Sequence, residues 1–192
     1  MKYSTARSAF AERIIYYTGL SISMISLIFV IRLVVDTSFR MAYPFIPQIS
    51  AGLNLSVASF GWLLTIRSTS GLLGPAIGRL ADRIGRRNIM GAALLIQFVG
   101  MAGMALAKGW WGALPMFLVG VATNAFLPSQ QAYISDQVPY ERRGRALASV
   151  DIAFAISGIV VMPAIGWMMN IWGWRIPFAV LSVLSLIAAV LI

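Results

Sequence analysis

Four charged residues lie inside apolar segments of the sequence. Arg32, Asp36 and Arg40 recur every fourth residue, so on a helix they share one face, and Arg67 stands in the next apolar segment. An ionisable side chain at the bilayer centre costs at least about 2.5–3.5 kcal/mol unless it is paired or hydrated. We therefore expect these side chains to line a shared wet cavity, with Asp36 paired to an arginine. Three arginines against one carboxylate favour an anionic solute, and a structural ion pair is the alternative.

The composition identifies lipid as the medium around these charges. Hydrophobic residues make up 59% of the 192 residues and charged residues only 11%, with a mean hydropathy of +0.83, whereas a soluble domain carries about 25% charged residues. The sequence has no cysteine and no histidine, which excludes disulfides and thiol or histidine catalysis. Neither a metal ligand set nor a nucleophile–base pair is visible. We therefore expect an integral membrane protein that is not an enzyme and needs no metal or cofactor.

Apolar runs separated by charged or glycine-rich breaks predict an all-α membrane protein with six transmembrane helices, since about 20 apolar residues cross a bilayer. Residues 1–19 are predicted to form a cytoplasmic amino-terminal segment, and residues 20–192 a six-helix bundle. The six predicted spans are, in chain order, Ile22–Ile46, Val57–Ile77, Ile89–Ala107, Gly112–Ile134, Ala146–Asn170 and Pro177–Ile192.

The basic residues are distributed unevenly between the two sides of the predicted bundle. Most of them lie in the amino-terminal segment and in the loops after the second and fourth spans, whereas the opposite loops hold only Lys108 and Arg175. The positive-inside rule makes the basic side cytoplasmic and predicts a cytoplasmic (inner) membrane location with the amino terminus inside. The net charge of +9 therefore reflects topology, and nucleic acid is not an expected partner. The short last span, without a basic flank, indicates a fragment or a half of a longer protein.

The two halves of the sequence align at a fixed offset. The tetrapeptide Pro75–Gly78 recurs 88 residues later as Pro163–Gly166, and the same offset lays Asp36 over Asn124. Three spans separate the copies, so they face opposite sides of the membrane. This pattern predicts a 3+3 inverted repeat, with repeats at 20–107 and 111–192 and a binding site near the bilayer midplane between them.

A glycine- and arginine-rich decapeptide, Gly78–Arg87, joins the second and third spans. We expect Gly78 to end the second span and Gly85 to allow a tight turn. Asp82, the only acid among its arginines, is expected to latch the cytoplasmic helix ends in one state. An ordinary basic loop is the alternative. The candidate latch comprises Gly78, Asp82, Arg83, Gly85, Arg86, Arg87, Arg142, Arg143 and Arg145, with Asp151 as an acid that pairs with them in one state.

The decapeptide resembles the loop 2–3 signature of the major facilitator superfamily. Asp136–Ala146 is similar to that family's loop 4–5 pattern, and Gly173–Phe178 to its entry into helix 6. The resemblance covers essentially the whole chain and implies six of the usual twelve helices, that is, the amino-terminal half of such a transporter.

Two further features bear on coupling. Gly158, Pro163 and Gly166 resemble the helix 5 packing motif of the family's drug/proton antiporters, but the motif is degenerate because Met162 and Trp167 replace glycines. Many proton-coupled members carry an arginine four residues before a glycine in helix 4. With Gly120 as that glycine, the arginine position holds Met116, so either Arg40 or Arg67 takes over this role or proton coupling is lost or different.

The resemblance implies a secondary active transporter that moves a small solute by alternating access, with an anionic or amphipathic solute and proton coupling as the options. The expected partners are the lipid bilayer, the solute, protons if coupling exists, and a second six-helix half in the same chain or in another subunit. The alternative is a non-transporting six-helix scaffold subunit of a larger membrane complex. The predicted solute or proton pathway comprises Arg32, Asp36, Arg40, Arg67 and Asn124.

Overall fold

The computed structural model describes residues 20–192, so the predicted cytoplasmic segment 1–19 lies outside the described residues. The described chain folds into helices joined by short turns. The helices are α1 (Ile22–Arg40), α2 (Ile46–Gly52), α3 (Val57–Ile84), α4 (Arg86–Leu106), α5 (Gly109–Gln137), α6 (Tyr140–Trp172) and α7 (Arg175–Leu191).

Six of these helices correspond to the predicted spans, and α2 is an additional short helix. Four of them, α1, α4, α5 and α6, are long and apolar enough to cross a membrane, and α3 qualifies together with α2, from which it is bent by 102°. The last helix, α7, is apolar but has 17 residues, slightly fewer than the about 20 of a full crossing. The predicted all-α membrane fold is therefore confirmed.

The first span ends at Arg40 rather than at Ile46. Tyr43 precedes Pro44, and the residue before a proline is disfavoured in helical geometry. The chain forms a turn over residues 41–45, and α2 then begins with Pro47 in its first turn. The predicted first span therefore consists of a helix, a turn and the start of a second short helix.

The predicted role of Gly78 as the end of the second span is wrong. Helix α3 continues through Gly78 to Ile84 and ends at Gly85, which has φ 95°. A glycine inside a helix costs only about 0.5–1 kcal/mol relative to alanine, so it permits a break without forcing one. Of these two glycines, Gly85 has the positive φ that side chains avoid, and it makes the sharp turn into α4.

Helix α4 lies between α5 and α7, while α1 packs on α6 and α3 packs on α5. Glycines allow α4 and α5 to approach each other closely. A Cβ atom added to Gly100 would lie 2.9 Å from Val119 Cγ2, and one added to Gly103 would lie 2.8 Å from Pro115 Cγ. Small residues that let helix backbones approach are the usual means of packing helices in lipid.

The structure carries the predicted offset of 88 residues. Gly85 (φ 95°) and Gly173 (φ 90°) end α3 and α6 in the same way. Gln97 of α4 donates a 3.1 Å hydrogen bond to Ser185 of α7, its equivalent 88 residues away. The two helices run antiparallel, because Arg175 contacts Ala107 at one end and Arg87 contacts Ile192 at the other. Equivalent residues of the two predicted repeats therefore meet at Gln97 and Ser185, as expected where a twofold axis relates two copies.

Candidate functional site

A buried ion cluster centres on Arg32 of α1. Its Nε donates to Asp36 Oδ2 at 2.8 Å and its Nη1 to Gln130 Oε1 at 2.7 Å, while Nη2 lies 3.2 Å from Asp151 Oδ1. Arg32 and Asp36 are 6% and 4% exposed, whereas the Asp151 side chain is 47% exposed. One guanidinium therefore ties α1, α5 and α6 together and is shared by two carboxylates.

Asp151 was expected from the sequence to pair with the latch arginines. In the structure the ion pair that it forms is with Arg32. Since α1 packs against α6, Asp151 lies at the exposed edge of the Arg32 cluster. The structure thus brings together Arg32, Asp36 and Asp151, and of these three side chains only that of Asp151 is exposed.

Arg67 of α3 is 1% exposed and has a different environment. Its Nη1 donates to the Phe39 carbonyl at 2.8 Å, and its guanidinium carbon lies 4.1 Å from the Phe39 ring centroid and 4.9 Å from that of Tyr43. Within residues 20–192, Nε and Nη2 of Arg67 have no hydrogen-bond partner. The arginine is therefore held by one carbonyl and two aromatic rings, with no carboxylate beside it.

Asn124 of α5 reaches the same part of α3. Its Nδ2 donates to Ser70 Oγ at 2.9 Å, and that hydroxyl donates to the Arg67 carbonyl at 2.6 Å. Ser70 begins a 3₁₀ segment, Ser70–Leu73, that interrupts the α-helical pattern of α3. A Cβ atom added to Gly120 would lie 2.4 Å from both the Arg67 carbonyl and Ser70 Oγ. The backbones of α3 and α5 therefore meet at Gly120, directly behind Arg67.

Arg40 turns away from Asp36 and towards α6. Its Nη1 donates to the Phe154 carbonyl at 2.8 Å, and its guanidinium carbon lies 4.1 Å from the Phe154 ring centroid. A π-helical segment, Ser157–Val161, follows directly, and a Cβ atom on Gly158 would lie 3.0 Å from Arg40 Nη2. Arg40 thus occupies the space that Gly158 leaves open beside the π-helical segment.

The other residues that resemble the family's helix 5 motif, Pro163 and Gly166, follow this segment in α6. Pro163 lies in the first turn after the π-helical residues, and a Cβ atom on Gly166 would lie 3.2 Å from Phe45 Cε1. Gly166 therefore allows the turn after α1 to pack closely on α6, as expected for a packing residue.

The candidate latch centres on Arg86 at the start of α4. Its Nη2 lies 3.8 Å from Asp82 Oδ1 of α3, and its Nε lies 3.0 Å from Asp136 Oδ2 of α5. These side chains border a crevice of about 520 Å³ that Gly85, Arg87 and Tyr133 also line. Arg86 therefore connects the ends of three helices, and its shorter ion pair is with Asp136.

The remaining latch candidates occupy two places. Arg87 contacts the carbonyl oxygen of Ile192, and Arg83 lines a shallow depression on α3. Arg142, Arg143 and Arg145 all lie in the first turns of α6, where the Arg143 guanidinium carbon lies 5.7 Å from the Tyr140 ring centroid. The structure therefore unites Asp82, Gly85 and Arg86 with Asp136.

We predict that Asp136→Asn opens this end of the bundle more than Asp82→Asn. Exposed ion pairs contribute about 0.2–1 kcal/mol each, and the Asp136 pair is the shorter one. The opening is measured as the rate at which a cysteine introduced at Tyr133, in the crevice, reacts with a water-soluble maleimide. We expect this labelling rate to be about two- to fivefold higher in Asp136→Asn than in the protein with the ion pair intact, from the same range of energies.

Glu141→Gln is the matched control for this comparison, because Glu141 forms no ion pair within residues 20–192. Equal labelling rates in Asp136→Asn and Glu141→Gln would show that the ion pair does not hold the crevice closed.

Sequence reasoning did not identify several residues that complete these sites. Gln130 is one of these residues, and Asp136 entered the sequence analysis only as part of a loop pattern, although an acid opposite an arginine loop is a detectable signal. The aromatic residues Phe39, Tyr43 and Phe154 carried no signal, because rings are common in apolar helices. Their roles depend on which side chain faces them across the bundle.

Comparison with known proteins places these sites in context. The model of a family described as the Major Facilitator Superfamily matches residues 15–192. The multi-drug resistance efflux pump PmrA homolog of Lactococcus lactis is 30% identical over 163 residues, which cover 82% of this chain and 40% of that protein. The niacin transporter NiaP of Acinetobacter baylyi is 28% identical over 132 residues, covering 66% of this chain and 29% of that protein.

Solved structures agree in fold. The POT family transporter PepTSo superposes with a TM-score of 0.75 at 18% identity, covering 89% of this chain and 37% of that one. The xylose transporter XylE from E. coli superposes with a TM-score of 0.63 at 19% identity, covering 88% and 47%. The chain thus spans less than half the length of these relatives and structures.

Proposed function

Because this chain belongs to the Major Facilitator Superfamily, we propose that it forms part of a secondary active transporter, which moves a small solute across the membrane by alternating access. A second six-helix half, in the same chain or in a partner subunit, completes the solute pathway in this proposal. Two features common to such transporters support it: a buried charge cluster in the bundle and a latch of charges at one end.

The observation that carries the proposal is the Arg32 cluster. Arg32 and Asp36 are almost fully buried, and Asp151 joins them from α6 at 3.2 Å. Burying a charge in a membrane bundle is costly, and intramembrane ionisable residues mark substrate, ion or proton pathways. A scaffold protein has no use for such a cluster, because apolar residues of the same volume would pack the helices at lower cost.

We propose further that this cluster couples transport to protons. One guanidinium between two carboxylates leaves one negative charge uncompensated within the group formed by Arg32, Asp36 and Asp151. Binding a proton to either carboxylate neutralises that charge and frees one of the bonds that Arg32 makes to α1 and α6. Asp151 is half-exposed, so it is the acid through which a proton enters. Proton binding and helix movement are thereby linked through one side chain.

Orientation and location follow from the charge distribution in the sequence. In this proposal the latch end, with Arg86 and the basic first turns of α6, faces the cytoplasm, and the protein resides in the inner membrane with its amino terminus inside. By name, one relative is a multi-drug resistance efflux pump and another is a niacin transporter. Their names therefore favour a small organic solute without selecting one.

The test is solute-driven proton movement in proteoliposomes that contain the complete transporter. A pH-sensitive dye inside the vesicles reports proton flux while small aromatic, carboxylate and cationic solutes are added in turn. We expect at least one solute to drive proton movement in the wild type. Asp36→Asn and Asp151→Asn should each abolish this movement, since each removes a carboxylate that can hold the proton.

Glu141→Gln, an exposed acid in the first turn of α6, is the control and should retain wild-type flux. Solute flux without proton movement would refute the coupling but leave transport standing. No flux of any solute above that of protein-free vesicles would refute transport and favour the scaffold alternative.

A further inference from the structure

Arg67 is the largest fully buried side chain of the described bundle, and its charge has no partner of opposite sign within residues 20–192. Two of its nitrogen atoms, Nε and Nη2, also have no hydrogen-bond partner there. Leaving a buried charged donor unpaired is strongly unfavourable. Arg32 differs from Arg67 in this respect, because each of its three guanidinium nitrogens contacts an oxygen atom. Arg67 therefore needs a hydrogen-bonding partner of opposite charge, and residues 20–192 do not supply one.

The identity of the two free nitrogens defines that partner. Nε and Nη2 lie on the same edge of the guanidinium plane, and their parallel N–H groups match the two oxygens of one carboxylate. The third nitrogen, Nη1, is already fixed by the Phe39 carbonyl at 2.8 Å, so the plane of the fork is held in place. A preorganised fork of this kind favours a bidentate carboxylate over a monodentate acceptor.

Aromatic rings define the rest of the site. The guanidinium carbon of Arg67 lies 4.1 Å from the ring centroid of Phe39 and 4.9 Å from that of Tyr43. Tyr43 is 49% exposed and lies in the turn 41–45 between α1 and α2, which is not bound into a helix. Its ring is therefore both the cover over Arg67 and a flat surface that a ligand can contact.

We propose that the Nε–Nη2 edge of Arg67 binds the carboxylate of a small aromatic carboxylic acid, whose ring stacks on Tyr43 when that side chain moves aside. This assignment rests on the proposed transport function and names the solute class for it. Asn124 and Ser70 are positioning residues in this site, since they hold the Arg67 backbone through hydrogen bonds of 2.9 and 2.6 Å. Gly120 leaves the space that brings α5 against that backbone.

The test measures binding of benzoate to the complete transporter in lipid nanodiscs by calorimetry, with benzamide as the neutral analogue and acetate as the carboxylate without a ring. We expect benzoate to bind and benzamide and acetate to bind at least about tenfold more weakly. Arg67→Lys keeps the charge but removes the planar fork, so it should weaken benzoate binding about tenfold. Arg79→Lys, at an exposed arginine of the same helix, is the matched control and should bind benzoate as the wild type does.

A second variant keeps the proposal testable if Arg67→Lys does not fold. Tyr43→Leu changes a half-exposed turn residue and should weaken benzoate severalfold while leaving acetate unchanged, because only the ring contact is lost. Equal benzoate affinity in wild type, Arg67→Lys and Tyr43→Leu would overturn the assignment. So would absence of benzoate binding to the wild type, as expected if an acidic residue of the second half already occupies the Arg67 fork.

These outcomes are separable from failure of the transport proposal. If solutes drive proton movement in proteoliposomes but neither benzoate binding nor flux depends on Arg67, the transporter stands and the aromatic carboxylate site falls. If no solute is moved at all while benzoate binds through Arg67, the site stands and transport falls.

Discussion

Replacing Gly120 by alanine is expected to force α3 and α5 apart and to lower the thermal midpoint of the purified protein by about 6–12 °C. The added Cβ atom would lie 2.4 Å from the Arg67 carbonyl and 2.4 Å from Ser70 Oγ. Neither atom can rotate out of the way, because one belongs to the backbone and the other is held by two hydrogen bonds. Overpacking a core costs typically about 1–3 kcal/mol, and a clash with backbone places this site at the upper end.

The matched control for this variant is Gly61→Ala in α3. A Cβ atom at Gly61 meets nothing within 4 Å, so the same chemical change should leave the midpoint unchanged or raise it slightly through helix propensity. Thermal unfolding is measured in detergent: samples are heated, and size-exclusion chromatography gives the fraction that stays folded at each temperature. Similar midpoints for the two variants would show that the contact between α3 and α5 at Gly120 is loose.

The sequence predicted the all-α membrane fold and the burial of Arg32, Asp36 and Arg67 for a simple reason, although only four helices, or five with the bent pair α2–α3, are long and apolar enough to cross a membrane in residues 20–192. Lipid imposes length and polarity on every span, so hydropathy and the positions of charges carry most of the topology. The offset that aligns Gly85 with Gly173 is likewise visible in both sequence and structure. The resemblance to the major facilitator superfamily is confirmed by the family match over residues 15–192. The limits of the two repeats at 20–107 and 111–192 stay a prediction.

The partners of the charged residues were beyond sequence reasoning, and Arg40 shows why. Eight residues along a helix with 3.6 residues per turn amount to a rotation of about 80°. Arg32 faces α5 and α6 together, whereas Arg40 faces only α6 and donates to the Phe154 carbonyl. The predicted common face is thus correct as a helical pattern but wide enough to reach different neighbours. Which neighbour is met depends on packing, which the pattern does not contain.

At Gly78 the sequence analysis predicted a helix end that the structure does not have. The sequence offered two glycines in the latch segment, and both are compatible with a turn. Only Gly85 adopts a positive φ, because the residues from Arg79 to Ile84 continue the helix that begins at Val57. A glycine allows a helix to end wherever it occurs. Here α3 ends at Gly85, where the chain turns and places Arg86 beside Asp136.

Replacing Arg32 by methionine is expected to cause the largest loss of stability among the charge variants, about 3–5 kcal/mol. Methionine fills a similar volume, so the effect measures the charge rather than a cavity. The change leaves Asp36, at 4% exposure, without the bond that its Oδ2 accepts at 2.8 Å. It also removes the bond to Gln130 Oε1 at 2.7 Å. Asp151 loses less, because its half-exposed carboxylate can be solvated.

The double variant Arg32→Met with Asp36→Leu separates the contribution of the pair from the cost of an orphaned charge. Replacing a whole buried ion pair by apolar residues is often neutral or stabilising, whereas removing one partner is strongly destabilising. We therefore expect the double variant to recover most of the thermal midpoint lost in Arg32→Met, yet to drive no proton movement in proteoliposomes. Recovery of stability without recovery of coupling is the result that a functional ion cluster predicts. A double variant as unstable as Arg32→Met would instead assign the cluster a structural role, since its bonds to Gln130 and Asp151 would then be what holds α1, α5 and α6 together.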